Sequence, residues 1–292
     1  MRAPSRTEER VRLAVPSKGR LSAPALTLVR EAGLEVDEDD RRLFAPCRNF
    51  PLDVLFVRAE DIPEYTQDGV VDLGVTGTNL VEEAAAVVDR GPRLGFGACR
   101  LQVAVPNQGD IHRLEDVSGR RVATSHPRLA AAYFKSHGVE VRLIPVSGSV
   151  EATPVMGVAD AIVDLVASGS TLARNGLRPL ATILESEAEL VLARVPGSPR
   201  AELVECVRLM LASVVAGRGK RYVMMNAPRG AVPAIRELLP GMAAPSILPL
   251  ADPTMVAIHV AIDVTTIWQV LAPLRATGAS SILVLPIEQF LP

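Results

Sequence analysis

From Val11 onward the chain alternates short β-branched runs with segments of helical periodicity, and this alternation restricts the possible folds more than any other feature. VRLAVP (11–16) reads as a strand, SKGR as a turn, and LSAPALTLVREAG (21–33) as a helix with Ser22 as cap and Gly33 as stop. A strand at 53–58, a helix through 60–69, a strand at 70–77 and a helix from Thr78 continue the pattern. Further strands are predicted at 99–106, 119–125, 139–146 and 159–166. The expectation is an α/β architecture with largely parallel sheets in two halves. Ligands of such sheets sit in a cleft at the carboxyl ends of the strands.

The pattern changes after the break VPGSPR (195–200) and a helix near 201–216. Strand 221–228, helix 229–241, strands 244–250 and 255–263, helix 264–278 and strand 280–288 follow in β-α-β-β-α-β order. That order predicts a ferredoxin-like module of about seventy residues, suited to regulation or assembly.

Composition narrows the function. A chain of 292 residues, 48% hydrophobic and 22% charged, supports more than one domain with its own core and excludes a disordered chain. A net charge of -2 with no basic block, and 3% aromatic residues with a single Trp268, exclude nucleic acid as an expected partner. Cys47, Cys99 and Cys206 show neither disulfide nor zinc spacing, so a reducing cytoplasm is the expected compartment. No apolar run approaches the ~20 residues of a membrane span. Residues 1–10 are polar and lack a signal peptide's apolar core, so they read as a disordered extension. DEDDRR (37–42) reads as a solvated loop.

The chemistry concentrates in DAIVDLVASGSTL (160–172). On a strand, Asp160 and Asp164 share a face and can accept hydrogen bonds from sugar hydroxyls. The turn Ser168, Gly169, Ser170, Thr171 then offers amides and hydroxyls at the start of a helix, a place suited to a phosphate. The bland alternative is a capped helix after a strand, with one aspartate buried against a donor. His112, His126, His137 and His259 have neither triad nor metal spacing, and none is assigned catalysis.

The spacing of Glu151, Gly157, Ala159, Ile162, Asp164, Leu165, Ser168, Gly169, Thr171 and Leu172 resembles the signature of the ATP phosphoribosyltransferases, the first enzymes of histidine biosynthesis. PSKGRLSAPAL (16–26), LFVRAEDIPEYTQDGVVDLGVTGTNLV (55–81) and NGLRPLATILESEAELV (175–191) are similar to the family's other blocks. The resemblance implies transfer of phosphoribosyl from 5-phosphoribosyl 1-pyrophosphate to N1 of ATP, with Mg2+ carried on the donor. It implies a type II periplasmic-binding-protein-like catalytic region with lobes at 11–98 plus 190–215 and at 99–189. An ACT-like regulatory domain at 218–292 would mark the long form, a dimer closing into a hexamer and inhibited by histidine.

Carried residue by residue, the turn 168–171 would hold the ribose 5-phosphate. Glu151, Asp160 and Asp164 would face ribose hydroxyls, with Glu151 and Asp164 reaching magnesium through water. Lys18, Arg20 and Arg58 would face pyrophosphate or triphosphate charge. Asp72, Gly74, Thr76 and Gly77 would form a nucleotide-contacting loop, and Asn226, Ser246 and Ala279 are effector contacts by position. Each has a plainer alternative: Lys18 and Arg20 as solvated charges, Arg58 paired with Glu60 or Asp61, Asp72 ending a turn. MNAPRG (225–230) departs from some long-form members in being shorter and less acidic. A two-lobed small-molecule-binding or regulatory protein without catalysis is the competing reading, because a fold does not fix a function.

Overall fold

The computed structural model describes residues 10–37, 43–239 and 245–291. Residues 1–9 of the expected N-terminal extension, and all of DEDDRR except Asp37, lie outside them. Arg10 is not frayed: its guanidinium reaches the buried Asp53 at 2.7 Å and the carbonyls of Cys47 and Leu52. The chain divides into two compact units, one running to Glu205 and a second from Cys206 that also takes in Glu31–Gly33.

The first unit holds two sheets. β1 (Val11–Pro16), α1 (Ser22–Glu31), β2 (Phe44–Pro46), β3 (Leu52–Val57), α2 (Ile62–Gln67), β4 (Leu73–Gly77), α3 (Thr78–Ala84) and β5 (Asp89–Arg93) build lobe I. β6 (Cys99–Pro106), β7 (Arg121–Thr124), α4 (Pro127–Ser136), β8 (Arg142–Pro145), β9 (Ala161–Val166), α5 (Ser170–Arg174) and β10 (Leu177–Ser186) build lobe II. The chain returns to lobe I with β11 (Ala188–Leu192), giving a six-stranded order β2-β3-β1-β4-β11-β5 and a five-stranded order β10-β6-β9-β7-β8. It thus crosses between lobes twice, at 94–98 and at Glu187. Re-entry falls before residue 190, since Ala188 already pairs with Gly77.

The sheets are mixed, which corrects the expectation of largely parallel ones. β1 runs parallel to β3 and β4, and β7 runs parallel to β8 and β9. β2, β5, β6, β10 and β11 all pair antiparallel. Local signals behave as read. α1 ends where Gly33 takes φ +80°, and the Leu34 amide closes back on the Val29 carbonyl at 3.2 Å in a Schellman arrangement. Lobe II is packed on both sheet faces, with Phe134 of α4 on one and Val150 and Leu172 on the other. The second set pins the segments around Glu151 and the 168–171 turn to the sheet.

The second unit contains part of α6 (Ala201–Arg218), then β12 (Lys220–Pro228), α7 (Val232–Leu238), β13 (Ser246–Pro249), β14 (Met255–Asp263), α8 (Ile267–Ala276) and β15 (Ser280–Pro286). Its antiparallel order β13-β14-β12-β15 is the ferredoxin-like arrangement. Alternate residues Val223, Met225 and Ala227 of β12, and Val256, Ile258 and Val260 of β14, pack with Ile235 and Leu274 of the helices.

Candidate active site

Four segments converge at the carboxyl ends of the strands: the turn after β1, a short 3-10 turn Val150–Ala152, the end of β9 and the turn after it. They enclose a cleft of about 220 Å³ lined by Arg20, Glu151, Asp164, Ser168, Gly169 and Thr171. Asp164 lies in the part of β9 that pairs with Gln102, and its Oδ1 accepts the Leu165 amide at 2.8 Å. Burial raises its pKa to about 6, and the nearby Glu151 carboxylate pushes the same way. Two carboxylates are thus held together at a cost that a cation or a hydroxyl-bearing ligand would offset.

Gly169 turns the chain at φ +76°, ψ -6°, and its carbonyl accepts the first helical hydrogen bond, from Ala173. A side chain there would meet open space, so the glycine serves backbone geometry and close approach of a ligand. Ser168 and Ser170 join their hydroxyls at 2.9 Å beside it. α5 has only five residues, so its macrodipole is small and the turn's amides and hydroxyls are the anion-binding groups. Arg20 donates to the Cys99 sulfur at 2.7 Å, at a second hollow of about 310 Å³ that shares Val166 and Ala167 with the first. Lys18 is exposed on the same turn as Arg20. Arg58 is exposed just past β3 and, among the described residues, forms no ion pair with Glu60 or Asp61.

Several expected contacts lie elsewhere. Asp160 sits before β9, at the end away from the cleft, where Arg121 grips it through Nη2 at 2.9 Å and its backbone amide at 2.9 Å. That guanidinium holds the Asp160 carboxyl below the usual carboxylate range. Asp72 precedes β4, is 5% exposed, and accepts Arg200 at 2.8 Å and the Arg12 amide at 2.8 Å. It fastens lobe I instead of a nucleotide. Thr76 is fully buried and donates to the Ala59 carbonyl at 2.9 Å. Gly74 lets α2 lie on β4, since a Cβ there would meet Ile62 Cγ2 at 2.4 Å. Gly77 leaves room for the Asn79 side chain, 2.6 Å from where its Cβ would stand.

In the second unit Asn226 is half-buried on β12 and Ser246 exposed on β13, whereas Ala279 is 7% exposed and packs in the module's core. Sequence reasoning missed Asn79, Ser186 and the Arg20–Cys99 contact, whose partners lie 107 and 79 residues apart. No spacing rule spans such distances. Among the described residues no cluster of three or more His, Cys, Asp or Glu forms a ready metal site, and no helix is long and apolar enough to cross a membrane.

The strand orders and the double crossing place the chain in a class: two-lobed α/β proteins of the type II periplasmic-binding-protein-like fold, here with a ferredoxin-like module following. A family model described as ATP phosphoribosyltransferase matches residues 58–212, and one described as HisG, C-terminal domain matches 217–289. Relatives named ATP phosphoribosyltransferase from Methanosarcina barkeri and Methanococcoides burtonii are 38% and 40% identical, each over 97% of this chain and 100% of their own length. A chain of the ATP phosphoribosyl transferase (HisG:HisZ) complex from Thermotoga maritima superposes with TM-score 0.63 at 28% identity, covering 70% of this chain and 98% of its own. The chain belongs to the ATP phosphoribosyltransferase family, in its long form with the C-terminal domain. It is an enzyme of the pentosyl-transferring class.

Proposed function

We propose that this enzyme transfers phosphoribosyl from 5-phosphoribosyl 1-pyrophosphate to N1 of ATP, releasing pyrophosphate as the first step of histidine biosynthesis, and that histidine inhibits it. The observation that carries this reading is the single cleft in which the 168–171 turn faces Asp164, Glu151 and Arg20. A phosphorylated sugar needs these groups together: amides and hydroxyls for its phosphate, carboxylates for its hydroxyls, and cations for a departing pyrophosphate.

The bond from the anomeric carbon to pyrophosphate breaks as the bond to N1 forms, through a centre of oxocarbenium character. Positive charge grows on the sugar and negative charge on the leaving group, so positioning and electrostatics supply the catalysis. The carboxylates of Asp164 and Glu151 orient the ribose and oppose its developing charge. Arg20, with Lys18 on the same turn and Arg58 past β3, takes up pyrophosphate charge. The Asp164–Glu151 pair fits Mg2+ arriving on the donor and held through water, where it would neutralise pyrophosphate oxygens. The hollow beside Cys99 offers room for the acceptor base.

In the C-terminal module, Asn226 and Ser246 stand as effector contacts. The outer sheet face carries Leu248 at 49%, Leu283 at 53% and Leu285 at 43% exposure, an apolar surface suited to homo-oligomer assembly. A cytoplasmic location accords with three free cysteines among the described residues. The test is incubation of purified protein with ATP, the pyrophosphate donor and Mg2+, following phosphoribosyl-ATP and pyrophosphate in equal amounts. Saturable binding of both substrates without turnover would favour the non-catalytic binding protein instead.

A further inference from the structure

A hollow of about 640 Å³ in the first unit is lined from lobe I by Glu60 and Leu80 and from lobe II by Thr124, Ser125, His126 and Ser147. At its edge a buried chain of hydrogen bonds joins the lobes. The Asn79 backbone N–H donates to Ser186 Oγ at 3.1 Å, and Ser186 Oγ lies 2.8 Å from Asn79 Oδ1, to which it donates. Asn79 Oδ1 is thereby occupied as an acceptor, so the Nδ2 group faces His126 Nε2 at 2.8 Å. An amide NH2 can only donate, so Nε2 must accept and the ring proton must sit on Nδ1, 3.0 Å from Ser125 Oγ. Asn79, His126 and Ser186 are all 5% exposed or less.

We propose that Asn79, His126 and Ser186 form an interlobe latch whose intact form requires the Nδ1–H tautomer of His126, and that this latch positions the two halves of the active-site cleft. The proposal rests on the phosphoribosyl-transfer reading for its kinetics but not for its geometry. Asn79 stands in the first turn of α3, Ser186 ends β10 beside the crossing at Glu187, and His126 occupies the position just before α4. Rotation about the crossings would shear α3 against α4. Arg20 belongs to one lobe, whereas Glu151, Asp164 and the 168–171 turn belong to the other, so their spacing depends on that rotation. The three latch residues need touch no substrate; they are positioning residues.

Protonation of His126 would set Nε2–H against the Asn79 NH2, two donors face to face. Burial lowers its pKa, which keeps the ring neutral near neutral pH, while Glu83 on α3 pulls the other way. The remaining charges around it are accounted for. Glu83 is engaged by the Arg128 and Leu129 amides at 2.8 and 2.9 Å, the Arg128 guanidinium turns to the Glu82 carbonyl, Glu187 pairs with Arg93, and Glu60 lies across the hollow.

Two readouts test the latch. In the full-length protein with 15N-labelled histidine, the resonance lost on His126→Gln should report a neutral ring protonated at Nδ1 near pH 7.5. An Nε2–H tautomer or an imidazolium there overturns the proposal whether or not the protein turns over. In steady-state kinetics, His126→Phe should raise the donor KM about tenfold with a smaller change in kcat, the scale of one broken buried hydrogen bond. Asn79→Leu should do the same, and the double variant should be no worse than either alone. His126→Gln restores the acceptor without a titrating group, so its kcat/KM near pH 8 should lie within about twofold of wild type. Its acid limb should fall with one proton fewer than wild type. Additive single variants, or an unchanged acid limb in His126→Gln, would refute the positioning role. Wild-type protein without turnover would refute the transfer reading, leaving the tautomer to judge the latch.

Discussion

Asp164 holds its carboxyl in a partly buried site beside a second carboxylate, and both push its pKa up to about 6. The sign follows from proton counts. Between its ordinary value of 3.8 and about 6 the folded protein binds more protons here than the unfolded chain, so stability declines as pH rises through that window. The full loss is on the order of 3 kcal/mol, less where solvent reaches the group. Asp164→Asn should therefore melt higher than wild type at pH 7.5 and lose most of that advantage near pH 4, while its donor KM rises at least tenfold. Thermal melts at both pH values with one set of kinetics decide it. A variant both less stable and fully active would place Asp164 in the fold and not in the site. Asp160 shows why one of the paired aspartates was misread. Side chains four apart on a strand do share a face, but they stand about 13 Å apart along it, and only the carboxyl end meets the cleft. Sharing a face was legible in the sequence; sharing a site was not.

At the scale of elements, two glycines in similar-looking blocks carry opposite consequences. Gly74 sits in buried β4 with Ile62 Cγ2 and Thr66 Oγ1 at 2.4 and 2.9 Å from the place of a Cβ, so Gly74→Ala must push α2 off the strand. A loss of about 1–3 kcal/mol is expected in denaturant titrations, with substrate KM values unchanged once the protein is folded. Gly169→Ala meets no atom but forces φ +76° on an L residue, costing about 1 kcal/mol and, above all, reshaping the turn. Its donor KM should rise while its denaturation midpoint moves less than that of Gly74→Ala. The reverse ranking would exchange the two assignments. The strands missed by pattern have physical reasons as well. β10 carries register shifts between Pro179 and Ala181 and between Thr182 and Leu184, which break the two-residue period. β5 reads DRGPR, a sheet-edge strand with Gly91 and Pro92 that no apolar run announces. The ferredoxin-like strands kept clean alternation on β12 and β14, and their order was legible from the start.

For the whole molecule, the question is what the second unit does to the first. The chain of the Thermotoga maritima complex is matched over 98% of its length by 70% of this one, so the remaining part of this chain has no counterpart in it. If the module's role is regulation by histidine, its effect must appear as a coupling free energy, and coupling is reciprocal. Calorimetric titration of the full-length protein with histidine, with and without the pyrophosphate donor, should give affinities that differ by some factor. Titration with donor, with and without histidine, should return the same factor, typically about 5–150-fold. Ending the chain after Gly219 keeps α6 intact and should leave phosphoribosyl-ATP formation in place while removing both histidine binding and inhibition. Histidine inhibition that survives the truncation would place the effector in the first unit. Histidine binding that disappears without any donor coupling in the full chain would leave the module as an assembly element, because a ligand that does not distinguish two states cannot shift the balance between them.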